Sequence, residues 1–205
     1  MMKIYGLHTP MFVKVVLAAE ETGTPYEVVE VDLLAGQQKL PEHLARHPFG
    51  KVPVIEHEGK FIFESNAILR YMAATSHSPL YPEATYPRAL VDQWIDYFSL
   101  QAGRWCMAIW FNRFVSPKFL KQPGDAKAIA DNEQMLLEAM PIIDKHLKDN
   151  HWLAGTAISL ADTNAFALMN GYQDAEINMN DFPNFMRWFR EYEQRPAVQR
   201  IKKWL

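Results

Sequence analysis

Cysteine is nearly missing from this chain: Cys106 is the single one among 205 residues. A lone thiol closes no internal disulfide, which suits a reducing compartment. Long apolar runs are missing too. No stretch approaches the roughly 20 residues that a membrane helix needs. The N-terminus, MMKIYGLHTP, offers no apolar run of signal-peptide length before Pro10, and Lys14, Glu20 and Glu21 soon interrupt the chain beyond it. The expected address is therefore the cytoplasm, with no membrane partner. Charge of one sign is scarce, with a formal net charge of -3. Nothing global favours nucleic acid, and an anionic small ligand has to find a local cluster of Lys and Arg. The seven His do not pair at ligand spacing with supporting carboxylates as in a zinc helix, so no metal is expected. Internal repeats and low-complexity tracts are absent as well.

What remains is globular. Hydrophobic residues at 49% and charged residues at 22% exclude both a disordered chain and a fibre. The length suits one or two domains.

Texture divides the chain. Lys3-Ile4-Tyr5 is a short strand ended by Gly6. From Met11 to Thr22, Phe12, Val15, Val16 and Ala19 repeat near a 3.6 period, which predicts a helix closed by Gly23. YEVVEV, residues 26–31, reads as a strand, and residues 41–46 as one or two helical turns. Val54 to His57 and Lys60 to Phe63 flank Glu58-Gly59 as a hairpin. Ser65 is placed to cap a helix carrying Ile68, Leu69 and Met72. The order is βαβ, a short helix, then ββα. The first two strands are expected parallel and the last two antiparallel.

Residues 77–87 read as a linker, within the proline-rich stretch SHSPLYPEATYP. Strand signals then stop. Residues 88–114 read as one long aromatic-rich helix of about 40 Å. Ile129, Leu136, Met140, Ile143 and Leu147 mark another, with a kink or break expected at Pro141. Ser159-Leu160-Ala161-Asp162 is a capping-box variant. Asp181-Phe182-Pro183 opens a further helix, Arg195-Pro196 ends it, and a short helix comes last. The expected architecture is an α/β domain over 1–76, the linker, and an all-helical domain over 88–205.

Four segments, in this order and spacing, resemble the glutathione transferase superfamily: KIYGLHTPMFVKV, HPFGKVPVIEHEGKFIFES, ISLADTNAF and the late Arg-Pro. The resemblance covers essentially the whole chain and is greatest, in the first domain, to the phi class and its bacterial relatives. It implies a thioredoxin-like glutathione-binding domain, an all-helical domain with a pocket for an electrophile, glutathione as co-substrate, and a homodimer.

The resemblance also assigns residues. Thr9 falls where the family places the hydroxyl that meets the glutathione sulfur, although the usual residue there is Ser. A free thiol has a pKa near 8.5. Lowering it by two units takes about 2.7 kcal/mol, which a charge-assisted hydrogen bond and a helix N-terminus can supply. Read without the family, Thr9 before Pro10 is simply an N-cap. Val52 and Pro53 match the cis-proline step whose preceding residue pairs with the cysteinyl part of glutathione; read alone, Pro53 only starts an edge strand. Glu64 and Ser65 match the γ-glutamyl site, with Ser65 and the helix N-terminus receiving its carboxylate. Gln38, Lys39 and Lys51 match positions that meet the glycine carboxylate, where the family often has His for Gln38 and Gln for Lys51. The electrophile pocket is expected between the first loop and the long helix, from Met11, Phe12, Trp105, Trp110, Phe111 and Phe114, or these aromatics are core. Arg104 and Arg113 are candidates for an anionic substrate, and His8 for tuning the sulfur.

Two other functions fit the same residues. A nu-like disulfide reductase or peroxidase carries Thr-Pro-Asn at the first loop, where this chain has Thr9-Pro10-Met11. A non-catalytic transferase-like module would share the fold without binding glutathione. Chemistry through Cys106 is disfavoured by its place far along the helical half.

Overall fold

The computed structural model describes residues 1–205. The chain separates into two compact units, Met1–Pro82 with Pro196–Leu205, and Glu83–Arg195.

The first unit opens with β1 (Met2–Gly6), α1 (Pro10–Thr22) and β2 (Tyr26–Glu30). Thr9 caps α1: its backbone is extended and its side-chain oxygen accepts from the Phe12 N–H, with Pro10 at the first helical position. Gly23 ends the helix at φ 66, a left-handed conformation open to glycine without steric cost. After a 3-10 turn at Gln37–Lys39 come the short α2 (Pro41–Leu44), the hairpin β3 (Val54–His57) and β4 (Lys60–Phe63), and α3 (Ser65–Thr75). The sheet order is β2-β1-β3-β4, with β1 parallel to β2 and antiparallel to β3, and β3 antiparallel to β4. This is the thioredoxin-like arrangement that the resemblance implies. Ser65 is not the cap of α3 but its first residue. The cap position belongs to Glu64, whose φ is 68 and whose side chain makes no capping bond.

Ile4, Ile55, Ile68, Leu69, Met72 and the whole of Phe12–Ala19 are buried in this unit. Phe12, expected beside the electrophile, is fully buried and meets the Trp204 ring edge-on at 5.8 Å. The last helix, α9 (Pro196–Arg200), packs on α1, and Arg200 pairs with Glu20 there. The final ten residues thus complete the α/β unit rather than the helical unit that precedes them.

The second unit is helical: α4 (Thr85–Leu100), α5 (Ala102–Trp110), a π-helical stretch at Phe111–Leu120, α6 (Ala126–Asp149), α7 (Leu160–Met169) and α8 (Pro183–Glu193). The single helix expected over 88–114 is broken at Gln101, where φ -129 and ψ -103 leave the helical region. Pro141 lies inside α6, and the helix continues through it. The capping box of α7 forms as read. Both oxygens of Asp162 are used: Ser159 N–H and Oγ donate to one, Leu153 N–H and Trp188 Nε1–H to the other, at 2.9–3.0 Å. The helix α8 opens at Pro183 as read, and its start is capped from outside by Asp144 of α6, which accepts from Asn184 N–H, Asn184 Nδ2 and Phe185 N–H.

Candidate functional site

Strand register brings the first unit's four candidate segments to one end of the sheet. Tyr5 pairs with Val54, and Val54 with Phe63, so the three form one row. Because β1 runs opposite to β3, the loop after β1, the entry to β3 and the exit from β4 leave from the same edge. That places Leu7–Thr9, Val52-Pro53 and Glu64-Ser65 together. Gly6 pairs with Glu30 at the end of β2, so the segment leading to Gln38 and Lys39 leaves from this edge too.

Thr9 stands at the N-terminus of α1. Its Oγ1 accepts from Phe12 N–H at 3.2 Å, which leaves the hydroxyl proton for a second partner. His8 beside it is exposed and takes φ 36. The Val52-Pro53 peptide bond is cis. Val52 lies beyond the last ladder pair of β1 and β3, so its N–H and C=O are outside the sheet. Ser65 is mostly buried, and its Oγ donates to the Met11 sulfur at 3.4 Å, tying the first turns of α1 and α3 together.

Gly50 closes the remaining corner. Its φ is 58, and a Cβ there would lie 2.7 Å from Gln38 O and 3.0 Å from Lys39 Nζ. Only glycine lets the segment entering Lys51 pass so near Gln38 and Lys39. Lys39 Nζ donates to Phe49 O at 3.3 Å, while Lys51 is exposed. Gln38 Nε2 donates to Leu33 O, and its buried Oε1 has no protein partner.

Three residues near this edge were missed in the sequence. His43 is buried, and its Nε2 lies 2.8 Å from Lys51 O. A carbonyl only accepts, so Nε2 carries the proton. The ring thereby pins the residue before Val52. His47 is stacked against it, with ring centroids 6.5 Å apart, and leans on Phe63. Burial, with the neighbouring His43 ring, lowers the His47 pKa. The third is Lys14 of α1, 1% exposed, whose Nζ donates to Asn66 Oδ1 at 2.6 Å. Its signal is legible in retrospect: MFVKVVLAA is an apolar run with one Lys inside it.

The aromatic candidates of the second unit lie along α5 and the π-helical stretch. Trp110 and Phe114 stack with centroids 6.1 Å apart, Phe119 meets Phe114 edge-on, and Lys118 Nζ sits 4.2 Å over the Phe114 ring. Trp105, Trp110 and Phe114 are half-buried and Phe111 is exposed. Arg113 is not available to an anion. Glu133 accepts from both its terminal nitrogens, and Ala175 O from one. Arg104 is exposed. Cys106 is buried, and burial pushes its thiol up to about 12, so it is an inert thiol at neutral pH. No helix is long and apolar enough to cross a membrane.

Comparison with known proteins bears on this arrangement. A family model described as the glutathione S-transferase N-terminal domain matches residues 1–74, and one described as the C-terminal domain matches residues 106–196. Glutathione S-transferase 1 of Zea mays is 30% identical over 205 residues, covering 98% of this chain and 95% of its own. Glutathione S-transferase 4 of Zea mays is 31% identical over 208 residues, covering 99% and 92%. Among solved structures, glutathione S-transferase-I bound with lactoylglutathione superposes with a TM-score of 0.92 at 29% identity, covering 100% of this chain and 99% of that one. A glutathione transferase family member from Pseudomonas fluorescens with two glutathione bound gives 0.85 at 28% identity, covering 97% and 91%.

Proposed function

The chain belongs to the glutathione S-transferase family, in its phi-like branch, and on that premise we propose that it joins the thiolate of glutathione to hydrophobic electrophiles. The observation that carries the reading is the meeting of four segments at one sheet edge, with the Thr9 hydroxyl proton unspent above the N-terminus of α1.

Thr9 is the catalytic hydroxyl. It donates to the sulfur while its oxygen accepts from the helix, and the helix end adds partial positive charge. Together these favour thiolate over thiol, so the nucleophile is present at neutral pH without a protein base. Val52, before cis-Pro53, offers N–H and C=O to the cysteinyl backbone, which fixes the sulfur's position. The N-terminus of α3 takes the γ-glutamyl carboxylate, with the Ser65 hydroxyl turning from the Met11 sulfur to meet it, and Glu64 takes its ammonium. Gln38, Lys39 and Lys51 take the glycine carboxylate, supplying the positive charge that the chain as a whole lacks. For the electrophile, the helical unit offers Trp105, Trp110, Phe111 and Phe114 as apolar contacts. Buried Phe12 is not among them. The reading extends to a cytoplasmic homodimer acting in detoxification. Phe49 and Phe61, exposed in the first unit, are apolar surface for a second copy to cover.

The test is glutathione calorimetry, paired with the ultraviolet absorbance of bound thiolate against pH. Binding with the thiol pKa well below about 8.5 supports conjugation, to be followed by turnover of an aryl halide. Binding with an unshifted pKa would move the protein to disulfide reduction. No binding would make it a transferase-like module without this chemistry.

A further inference from the structure

Lys14 places an amino group where the fold has no packing need for one. It lies in the second turn of α1, 1% exposed, between Val13 and Val15. An apolar side chain of similar length would fill that space without desolvating a charge. Its Nζ reaches across to α3 and donates to Asn66 Oδ1 at 2.6 Å. Asn66 is the second residue of α3 and comes directly after the Glu64-Ser65 pair.

That pair needs holding. Glu64 sits at φ 68 and ψ 108, in a region that a residue with a Cβ occupies only when its surroundings impose it. Its carboxylate has no capping bond to anchor it. On one side, Ser65 Oγ is tied to Met11 of α1. On the other, Asn66 is tied to Lys14 of the same helix. The two bonds fasten the first turn of α3 to α1 at successive residues.

We propose that Lys14 is a positioning residue for the γ-glutamyl end of glutathione, acting through Asn66 to set Glu64 and Ser65 at the start of α3. The inference rests on the glutathione-binding reading above. Burial pushes the Lys14 ammonium down to about 7, and the Glu64 carboxylate opposes that, so the charge is retained partly by the group it helps to place. Arg70, farther along α3, acts the other way.

Calorimetry with reduced glutathione on the full chain tests this, alongside turnover of an aryl halide and thermal melts. The proteins are wild type, Lys14→Met, Asn66→Ala and the double variant. Lys14→Met and Asn66→Ala are each expected to weaken glutathione binding about tenfold, the scale of a misplaced contact. The glutathione KM rises while kcat at saturating glutathione holds. The double variant is expected to lose no more than either single one, because both cut the same tie. A folded Lys14→Met that binds as tightly as wild type overturns the proposal, as do losses that add in the double variant. A loss of affinity that only tracks a fall in melting temperature also overturns it. If the wild type itself binds no glutathione, the functional reading fails first and takes this one with it.

Discussion

Replacing Lys14 by Met should stabilise the fold, and by an amount that depends on pH. In the unfolded chain the ammonium titrates at its ordinary 10.5, and in the fold at about 7. At about 1.4 kcal/mol per tenfold, holding the charge inside costs roughly 5 kcal/mol below pH 7 and roughly 4 kcal/mol at pH 7. The substitution also removes the Lys14 Nζ hydrogen bond to Asn66 Oδ1, a loss of about 1–3 kcal/mol at a partly buried amide. The net gain near neutrality is about 1–3 kcal/mol. For a chain of this size that raises the melting temperature by about 2–4 °C per kcal/mol. The sign of the pH dependence comes from proton counts. Between about 7 and 10.5 the unfolded chain holds the Lys14 proton and the folded chain does not, so wild-type stability rises with pH across that window. Lys14→Met has no such group, and other titrations cancel in the difference. Urea unfolding of both proteins at about pH 6 and about pH 9 is the assay, with the variant's advantage expected to shrink at the higher pH. A variant less stable than wild type at the lower pH, or a gap that ignores pH, refutes the reasoning.

Other perturbations read other parts. Thr9→Ala removes a hydrogen bond to a charged sulfur worth about 1.5–3 kcal/mol, so kcat/KM should fall roughly 10- to 100-fold and the bound thiol pKa should rise, while Thr9→Ser keeps both; spectroscopic titration of the bound thiol checks it. Loss of the α1 cap should also lower the stability of Thr9→Ala by about 1 kcal/mol in urea. Asp162→Ala strands four donors, the Leu153 and Ser159 N–H, the Ser159 hydroxyl and the Trp188 indole N–H, and denaturant midpoints should report a loss of about 3–5 kcal/mol. His47 has its pKa lowered by burial. As pH falls below 6.5 the unfolded chain takes up this proton first, so stability declines, and His47→Asn should flatten that decline in urea midpoints measured from about pH 7.5 to about pH 5.

The sheet and its flanking helices were legible because short strands alternate with a clear 3.6-period helix, and because Gly23 and Glu58-Gly59 punctuate them. The capping box at Ser159 and Asp162 was legible because its partners are three residues apart. What escaped is non-local. Asp144 caps a helix forty residues away. His43 holds Lys51 O by its position beside β3. The apolar periodicity runs on across Gln101, so only the backbone angles reveal the break that divides α4 from α5. Ser65 was read as a cap from its residue type, but the chain turns at Glu64 in a conformation that no local preference predicts. The convergence of the candidate segments needed family resemblance in the sequence. In the structure it comes from one row of the sheet, Tyr5, Val54 and Phe63.

The return of residues 196–205 to the first unit makes that unit discontinuous in sequence. A ribosome delivers the strands, α1 and α3 early, yet the Trp204 edge against Phe12 and the Arg200 partner of Glu20 arrive last. Until then the face of α1 that starts at Thr9 is unfinished, whatever the intervening helices have done. A nascent chain halted at Arg195 would have every candidate glutathione contact in its sequence and still lack the ring that packs against Phe12, three residues past the first of them.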